Sequence, residues 1–358
     1  MPDPLLMIPG PTPVSAAVRE ALAAPVRGHA TAENAASLGR IRDGLQAMAG
    51  APTSDVYVIP GSGTLAMEMA LVSHVPPGGR VVIVNQGYFA DRFDEICASH
   101  GIAADQVKAE WGHRVDVDAV RAALATGPPA ALLTITHVDT STGTLAAVAE
   151  LAAVAREAGV MVLLDGVCAT AGVAETLDDW GIDILATASQ KALATPPGLA
   201  IIVASAAARA RRAEVPARGY YTDLARWDAA MTSTAYFATH ATSLVRALDV
   251  SVGEVLAEGL EARYARHARV AADLRQGLAR LGFTPLTEEA ALAPTLSVVA
   301  PPPGVDEAVV RQGLLARGIL VAGGLGPFAG RALRVGHMGT IGDEQAALLL
   351  DGLEALVG

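Results

Sequence analysis

The chain has 358 residues, 52% hydrophobic and 18% charged, with a formal net charge of −11 and a mean hydropathy of +0.38. This composition excludes an intrinsically disordered chain, and its acidic excess argues against a nucleic-acid partner. No apolar run reaches the roughly 18 residues of a membrane span, and the opening residues lack the basic and apolar regions of a signal peptide. Cys97 and Cys168 are too few for a disulfide framework or a metal cluster, so a cytoplasmic protein without a metal is expected.

In chain order, short apolar runs alternate with helical patterns. Val56–Pro60 reads as a strand and Thr64–His74 as a helix. Arg80–Asn85 reads as a strand, Phe89–His100 as a helix, and Ala130–Thr136 as a strand. Leu145–Ala158 then reads as a helix, followed by strands at Val160–Asp165, Ile182–Thr187 and Leu199–Ala204. Continuous apolar strands separated by helices predict an α/β fold with a parallel sheet covered on both faces. Such sheets bind ligands at the carboxyl ends of their strands. Beyond about Ser243 the texture changes. Leu244–Leu281 is a long amphipathic stretch, read as two helices. It is followed by Leu296–Ala300, a helix near Asp306–Arg317, strands near Ile319–Val321 and Ala332–Val335, and a helix over Asp343–Val357. Residues 244–358 are therefore expected to form a smaller C-terminal α/β domain.

Three features at expected strand ends carry chemistry. Pro60-Gly-Ser-Gly-Thr64 joins a strand to a helix, where free N–H groups and the helix dipole suit an anion. Asp165 ends an apolar strand. Lys191 follows another, one β-α-β step later, and only it and Lys108 are lysines among 26 basic residues. A partly desolvated lysine at such a position offers a neutral, nucleophilic amine. Singly, each feature has an ordinary explanation: a tight turn with its N-cap, a rim carboxylate, a solvated loop lysine. Jointly, an anion cradle, an acid and an amine match the needs of pyridoxal phosphate: a held phosphate, a protonated ring nitrogen and a Schiff-base lysine.

These segments also carry a family resemblance. Pro9-Gly-Pro-Thr-Pro13, GSGTLAMEMAL (61–71), QGYFADR (86–92), THVDTSTGTL (136–145), VMVLLDGV (160–167), DILATASQKALATPPGLA (183–200) and ALRVGHMG (332–339) occur in the order seen in class V, fold-type I pyridoxal-phosphate aminotransferases. The likeness is to the alanine–glyoxylate, serine–glyoxylate and serine–pyruvate group and runs nearly end to end. It implies a mainly parallel seven-stranded sheet between helices in a large cofactor-binding domain (16–243). An N-terminal segment (1–15) would lie at the active-site entrance and the small domain (244–358) would follow. It implies Lys191 as the Schiff-base lysine, Asp165 as partner of the pyridine nitrogen, and Ser62, Gly63, Thr64 and Gln190 around the phosphate. It further implies Phe89 stacked on the ring, Thr140 near the phenolic oxygen and Arg334 on the substrate carboxylate. The family's dimeric habit implies a homodimer with shared sites, with Tyr236 and Thr239 as candidates to reach the partner's phosphate. Gly10 and His29 are candidates to line the substrate entrance.

The implied reaction is ping-pong transamination of alanine or serine with glyoxylate or pyruvate. Related donors such as ureidoglycine or aminoethylphosphonate are the alternative, and a cysteine desulfurase or lyase a more distant one. A desulfurase would carry His where Gln190 precedes Lys191. The chain departs from the family at Gly166, where many relatives have Ser, at Ala169, where a hydroxyl is common, and at Val138-Asp139, where Gly-Glu is usual. The first two changes are expected to thin the polar shell around the cofactor. His137 and His337 are further candidates to touch substrate.

Overall fold

The apolar runs of the first two-thirds of the chain converge on one sheet. The computed structural model describes residues 3–357. The strands are β1 (Asp55–Gly61), β2 (Arg80–Asn85), β3 (Ala103–Lys108), β4 (Ala130–Thr136), β5 (Met161–Asp165), β6 (Ile184–Ala188) and β7 (Gly198–Ala204). Their order across the sheet is β1-β7-β6-β5-β4-β2-β3. Strands β3, β2, β4, β5 and β6 pair in parallel, while β7 runs antiparallel to both β6 and β1.

Two features of this sheet differ from a simple reading of apolar runs. The turn over residues 189–197 is shorter than the dozen or so residues a parallel crossover needs, so β7 must return antiparallel. Strand β3 (AADQVK) has little apolar signal because it is an edge strand, paired only with β2 and alternately exposed.

Both faces of the sheet are covered, which is why its strands read as continuous apolar runs. Helices α1 (Ala16–Ala23), α2 (Ala32–Ala49), α3 (Gly63–Val72), α4 (Tyr88–Ser99), α5 (Val117–Ala125) and α6 (Val148–Glu157) fall within this part of the chain. In β7, Leu199, Ile201 and Val203 share a core with Leu38, Ile41 and Leu45 of α2. Ala200, Ile202 and Ala204 share the opposite core with Met67 and Met69 of α3 and Phe93 of α4. Helix α6 begins later than its pattern suggests, because Thr144–Leu145 pairs antiparallel with Val138–Asp139.

The amphipathic stretch after Ser243 forms α7 (Thr242–Glu258) and α8 (Leu260–Arg280), divided at Gly259. A separate antiparallel sheet follows, with β8 (Thr284–Pro285), β9 (Leu296–Ala300), β10 (Ala322–Gly323) and β11 (Leu333–Gly336) in the order β8-β9-β11-β10. Leu274 and Leu278 of α8, Leu314 of α9 (Glu307–Ala316) and Leu349 of α10 (Asp343–Val357) pack with Leu333 and Val335 of this sheet. The N-terminal segment is fastened here too: Leu5–Leu6 pairs with Ile319–Leu320, and Met7 is buried in the same core.

Arg263 of α8 ties these parts together. It is only 4% exposed. Its Nε donates to Ala171 O (2.7 Å), its Nη2 to Ala192 O (2.5 Å) and its Nη1 to Glu258 Oε2 (2.6 Å). Removing the guanidinium strands two buried carbonyls, while Glu258 keeps its bonds to Arg266. Arg263→Met is therefore expected to destabilise the protein by about 3 kcal/mol in urea denaturation. Arg269→Met, which removes an exposed partner of Asp343, should leave the midpoint unchanged within error.

Candidate active site

Parallel pairing brings the carboxyl ends of β2, β4, β5 and β6 to one edge, β1 joins them through the antiparallel β7, and the chain leaving them lines a cavity of about 130 Å³. Its lining comprises Ser62, Gly63, Thr64, Met67, Phe89, Val138, Thr140, Asp165, Val167, Cys168, Gln190 and Lys191. The anion cradle, the acid and the amine expected from the sequence thus share one cavity, together with Phe89, Thr140 and Gln190.

At the cradle, Ser62 is the N-cap residue of α3, but its side chain makes no capping bond. The first helical bond runs from Ala66 N–H to Ser62 O (3.2 Å), which leaves the Gly63, Thr64 and Leu65 amides ahead of it. Gln190 Oε1 is buried without a hydrogen-bond partner among the described residues. An accepting group of a ligand at the helix start would answer the first deficit, and a donor on the ligand the second. Arg92, in the first turns of α4, donates from Nη1 to Thr64 Oγ1 (3.2 Å), a neighbour of the cradle that the sequence reading did not single out.

Asp165 is 3% exposed, and its Oδ1 accepts the Val167 N–H at 2.9 Å. Burial pushes its carboxyl up to about 7, opposed by the Val167 hydrogen bond, reinforced by the nearby Asp139 charge and countered by the Lys191 ammonium. Lys191 sits in the turn after β6. Thr12 holds that turn, donating from N–H to Gln190 O (3.2 Å) and from Oγ1 to Lys191 O (2.8 Å). Lys191 Nζ donates to Pro9 O. Gly10 has φ +110, and a Cβ there would lie 2.5 Å from Lys191 Cδ, so glycine is required where the N-terminal segment crosses the lysine.

Arg334, on β11, is anchored by Nε to Gly323 O (2.7 Å) and by Nη1 to Thr140 O (3.4 Å). Its Nη2 has no protein partner among the described residues. Burial lowers its pKa, while nearby Cys168 and Asp139 act in the opposite direction. Arg334 and Gly10 lie outside the cavity lining but touch residues within it. Tyr236, Thr239 and His29 lie outside it and together: Tyr236 is 63% exposed, its hydroxyl 3.4 Å from Thr239 Oγ1 and its ring 5.0 Å from that of His29.

The other two candidate histidines, His137 and His337, are committed elsewhere. His137 Nδ1 lies 2.9 Å from Glu175 Oε1, with both side chains buried. His337 is fully buried, its Nε2 3.0 Å from Ser297 Oγ, and burial holds its pKa well below the usual histidine range. The space at Gly166 is already taken: a Cβ there would lie 2.5 Å from Thr170 Oγ1 and 2.9 Å from Glu175 Oε1.

Met67, Val138, Val167 and Cys168 supply the walls of the cavity. Met67 was legible in principle, one helical turn beyond Gly63, as were Val167 and Cys168, just past Asp165. Burial pushes the Cys168 thiol up to about 11, so it is a neutral wall group.

The class-V aminotransferase family model matches residues 12–329. An uncharacterised aminotransferase of Methanocaldococcus jannaschii is 34% identical, over 98% of this chain and 91% of that protein. Alanine–glyoxylate aminotransferase 1 of Saccharomyces cerevisiae is 31% identical, over 93% of this chain and 91% of that protein. The crystal structure of alanine–glyoxylate aminotransferase from Nostoc sp. superposes with a TM-score of 0.94 at 30% identity, covering 100% of this chain and 96% of that one.

The buried acid sets a pH dependence. In the unfolded chain Asp165 releases its proton near pH 4, whereas the folded chain keeps it to about pH 7. The ligand-free fold therefore loses stability as pH rises through that window. Relative to Asp165→Asn, wild-type unfolding free energy should fall by roughly 2–3 kcal/mol between pH 5 and pH 7 in urea denaturation. A pH-independent difference would mean that the carboxylate is already charged throughout that range.

Proposed function

This chain belongs to the class-V aminotransferases, and we propose that its cavity binds pyridoxal 5′-phosphate and moves an amino group from alanine or serine to glyoxylate or pyruvate. The observation that carries this reading is the meeting of Lys191, Asp165 and the uncapped start of α3 on one cavity. The buried, unpartnered Gln190 Oε1 supports a polar ligand beside them.

Pyridoxal phosphate, when bound, supplies a ring that accepts the electron pair of a breaking Cα–H bond. The Gly63 and Thr64 amides, Ser62 and Gln190 would hold its phosphate, aided by the α3 dipole. Phe89 would cover the ring face, and Thr140 would lie at the phenolic oxygen. Asp165 would keep a proton at the ring nitrogen, and burial strengthens that interaction. Lys191 Nζ provides the amine for the carbonyl. With its amine free, Lys191 would be the base for the Cα proton.

Arg334 would fix the substrate carboxylate, its fork pre-set by Gly323 O and Thr140 O. Met67, Val138 and Val167 exclude water and leave room for a small side chain. Both half-reactions use the same cavity, so donor product leaves before acceptor enters.

The reading extends to the assembly. A homodimer would cover exposed Tyr236 and bring it with Thr239 toward the partner's cavity, while His29 and Gly10 flank the substrate entrance. Residues 16–243 would form the cofactor-binding domain and 244–358 the small domain, with 1–15 passing over Lys191. The buried free thiols Cys97 and Cys168 fit a reducing cytoplasm.

A donor–acceptor panel on the cofactor-loaded protein tests the reaction. Alanine or serine with glyoxylate should turn over with ping-pong kinetics. Arg334→Ala should lose roughly 100-fold in kcat/KM while retaining the cofactor, and Arg334→Lys should recover part of that loss. Sulfide or pyruvate released from cysteine without an acceptor would instead identify a lyase.

A further inference from the structure

Asp139 is fully buried behind the cavity wall, between the lining residues Val138 and Thr140. Both of its carboxylate oxygens are occupied. Oδ2 accepts the Phe89 N–H (3.0 Å) and the Ala90 N–H (3.3 Å). Oδ1 accepts the Ser141 N–H (2.9 Å) and hydroxyl (2.6 Å). Ser141 Oγ in turn accepts the Tyr88 N–H at 2.9 Å.

This arrangement answers a local deficit. The N-cap position of α4 is Gly87, which has no side chain with which to cap the helix. The first amides of α4 would otherwise be buried without acceptors. Their acceptor comes from a turn 50 residues away in sequence, and a negative charge there also matches the helix dipole. The first turn of α4 carries Phe89, while the turn that donates the cap carries Thr140, whose carbonyl supports Arg334. One carboxylate therefore sets the relative placement of an aromatic wall residue and the substrate-side turn. Asparagine could not replace it: with one accepting oxygen, its amide would point a donor at the donors of either α4 or Ser141.

We infer that Asp139 is a positioning residue that places the Phe89 ring over the bound cofactor by pinning the first turn of α4 to the Thr140 turn. The inference rests on the reading that this cavity takes pyridoxal phosphate. The cofactor-free full chain is titrated with pyridoxal phosphate, following the dissociation constant and the visible circular dichroism of the bound ring. Six proteins are compared: wild type, Asp139→Asn, Asp139→Glu, Phe89→Ala and the two double variants.

Asp139→Asn should weaken binding about tenfold, the scale of a lost helix cap, and alter the visible dichroism. Combined with Phe89→Ala it should add almost nothing, because no ring remains to be placed. Asp139→Glu keeps both accepting oxygens but moves them, so it should fold, shift the dichroism, and also be silent in the Phe89→Ala background. Multiplying losses in either double variant, or single Asp139 variants that bind with unchanged affinity and dichroism, would overturn the inference. Wild-type protein that takes up no cofactor would overturn the underlying reading as well, so the wild-type titration separates the two failures.

Discussion

The parallel register of the central sheet is the constraint on which the site depends. Asp165 lies opposite Thr136 on one side and Ala186 on the other. The last residues of β4 and β5 therefore stand at one level, β6 runs two residues further to Ala188, and the chain that leaves them must turn over the same edge. β1 joins this edge because β7 runs antiparallel to both it and β6, so two reversals restore its direction. The α3 start, the acid and the lysine turn, far apart in sequence, meet without any long loop having to find its own conformation. Their relative positions inherit the rigidity of a sheet buried on both faces.

Two buried carboxylates near this edge divide the electrostatic work. Asp139 commits both oxygens to N–H and O–H donors of α4 and Ser141. Burial raises its pKa, and those donors oppose the rise. Asp165 instead faces the cavity, bonded through Oδ1 to Val167, and its raised pKa reflects burial with less compensation. The first acid belongs to the scaffold, and the second remains available to a cationic ligand. Leu185 and the loop carrying Thr170 and Glu175 fill the space that a side chain at Gly166 would occupy.

Most of the site was legible because its residues lie at junctions that sequence marks clearly: an apolar run ending in Asp165, a small-residue turn before α3, and a scarce lysine beside Pro196-Pro-Gly198. The long-range partners were harder to read. Nothing local to Thr12 indicates that it holds the Lys191 turn, and nothing local to Glu175 indicates its pairing with His137. Asp139 stood out only as a departure from a family pattern, because a cap supplied from another strand leaves no mark in the helix it serves. Strand β3 was obscured for the opposite reason: its edge position relaxes the demand for apolar residues. His337, close in sequence to Arg334, lies just past the end of β11, and its ring is buried in the core beside Ser297.

The central claim is that the amine of Lys191, rather than any other, meets an aldehyde held in this cavity. The chain offers only one rival lysine, Lys108, on the edge strand. Borohydride reduction of the protein with pyridoxal phosphate, followed by peptide mass mapping, reads the site of attachment directly. The account predicts a pyridoxyl label on the peptide that contains Lys191, removed by Lys191→Ala. A label confined to Lys108 or the N-terminal amine, or no label, would contradict it.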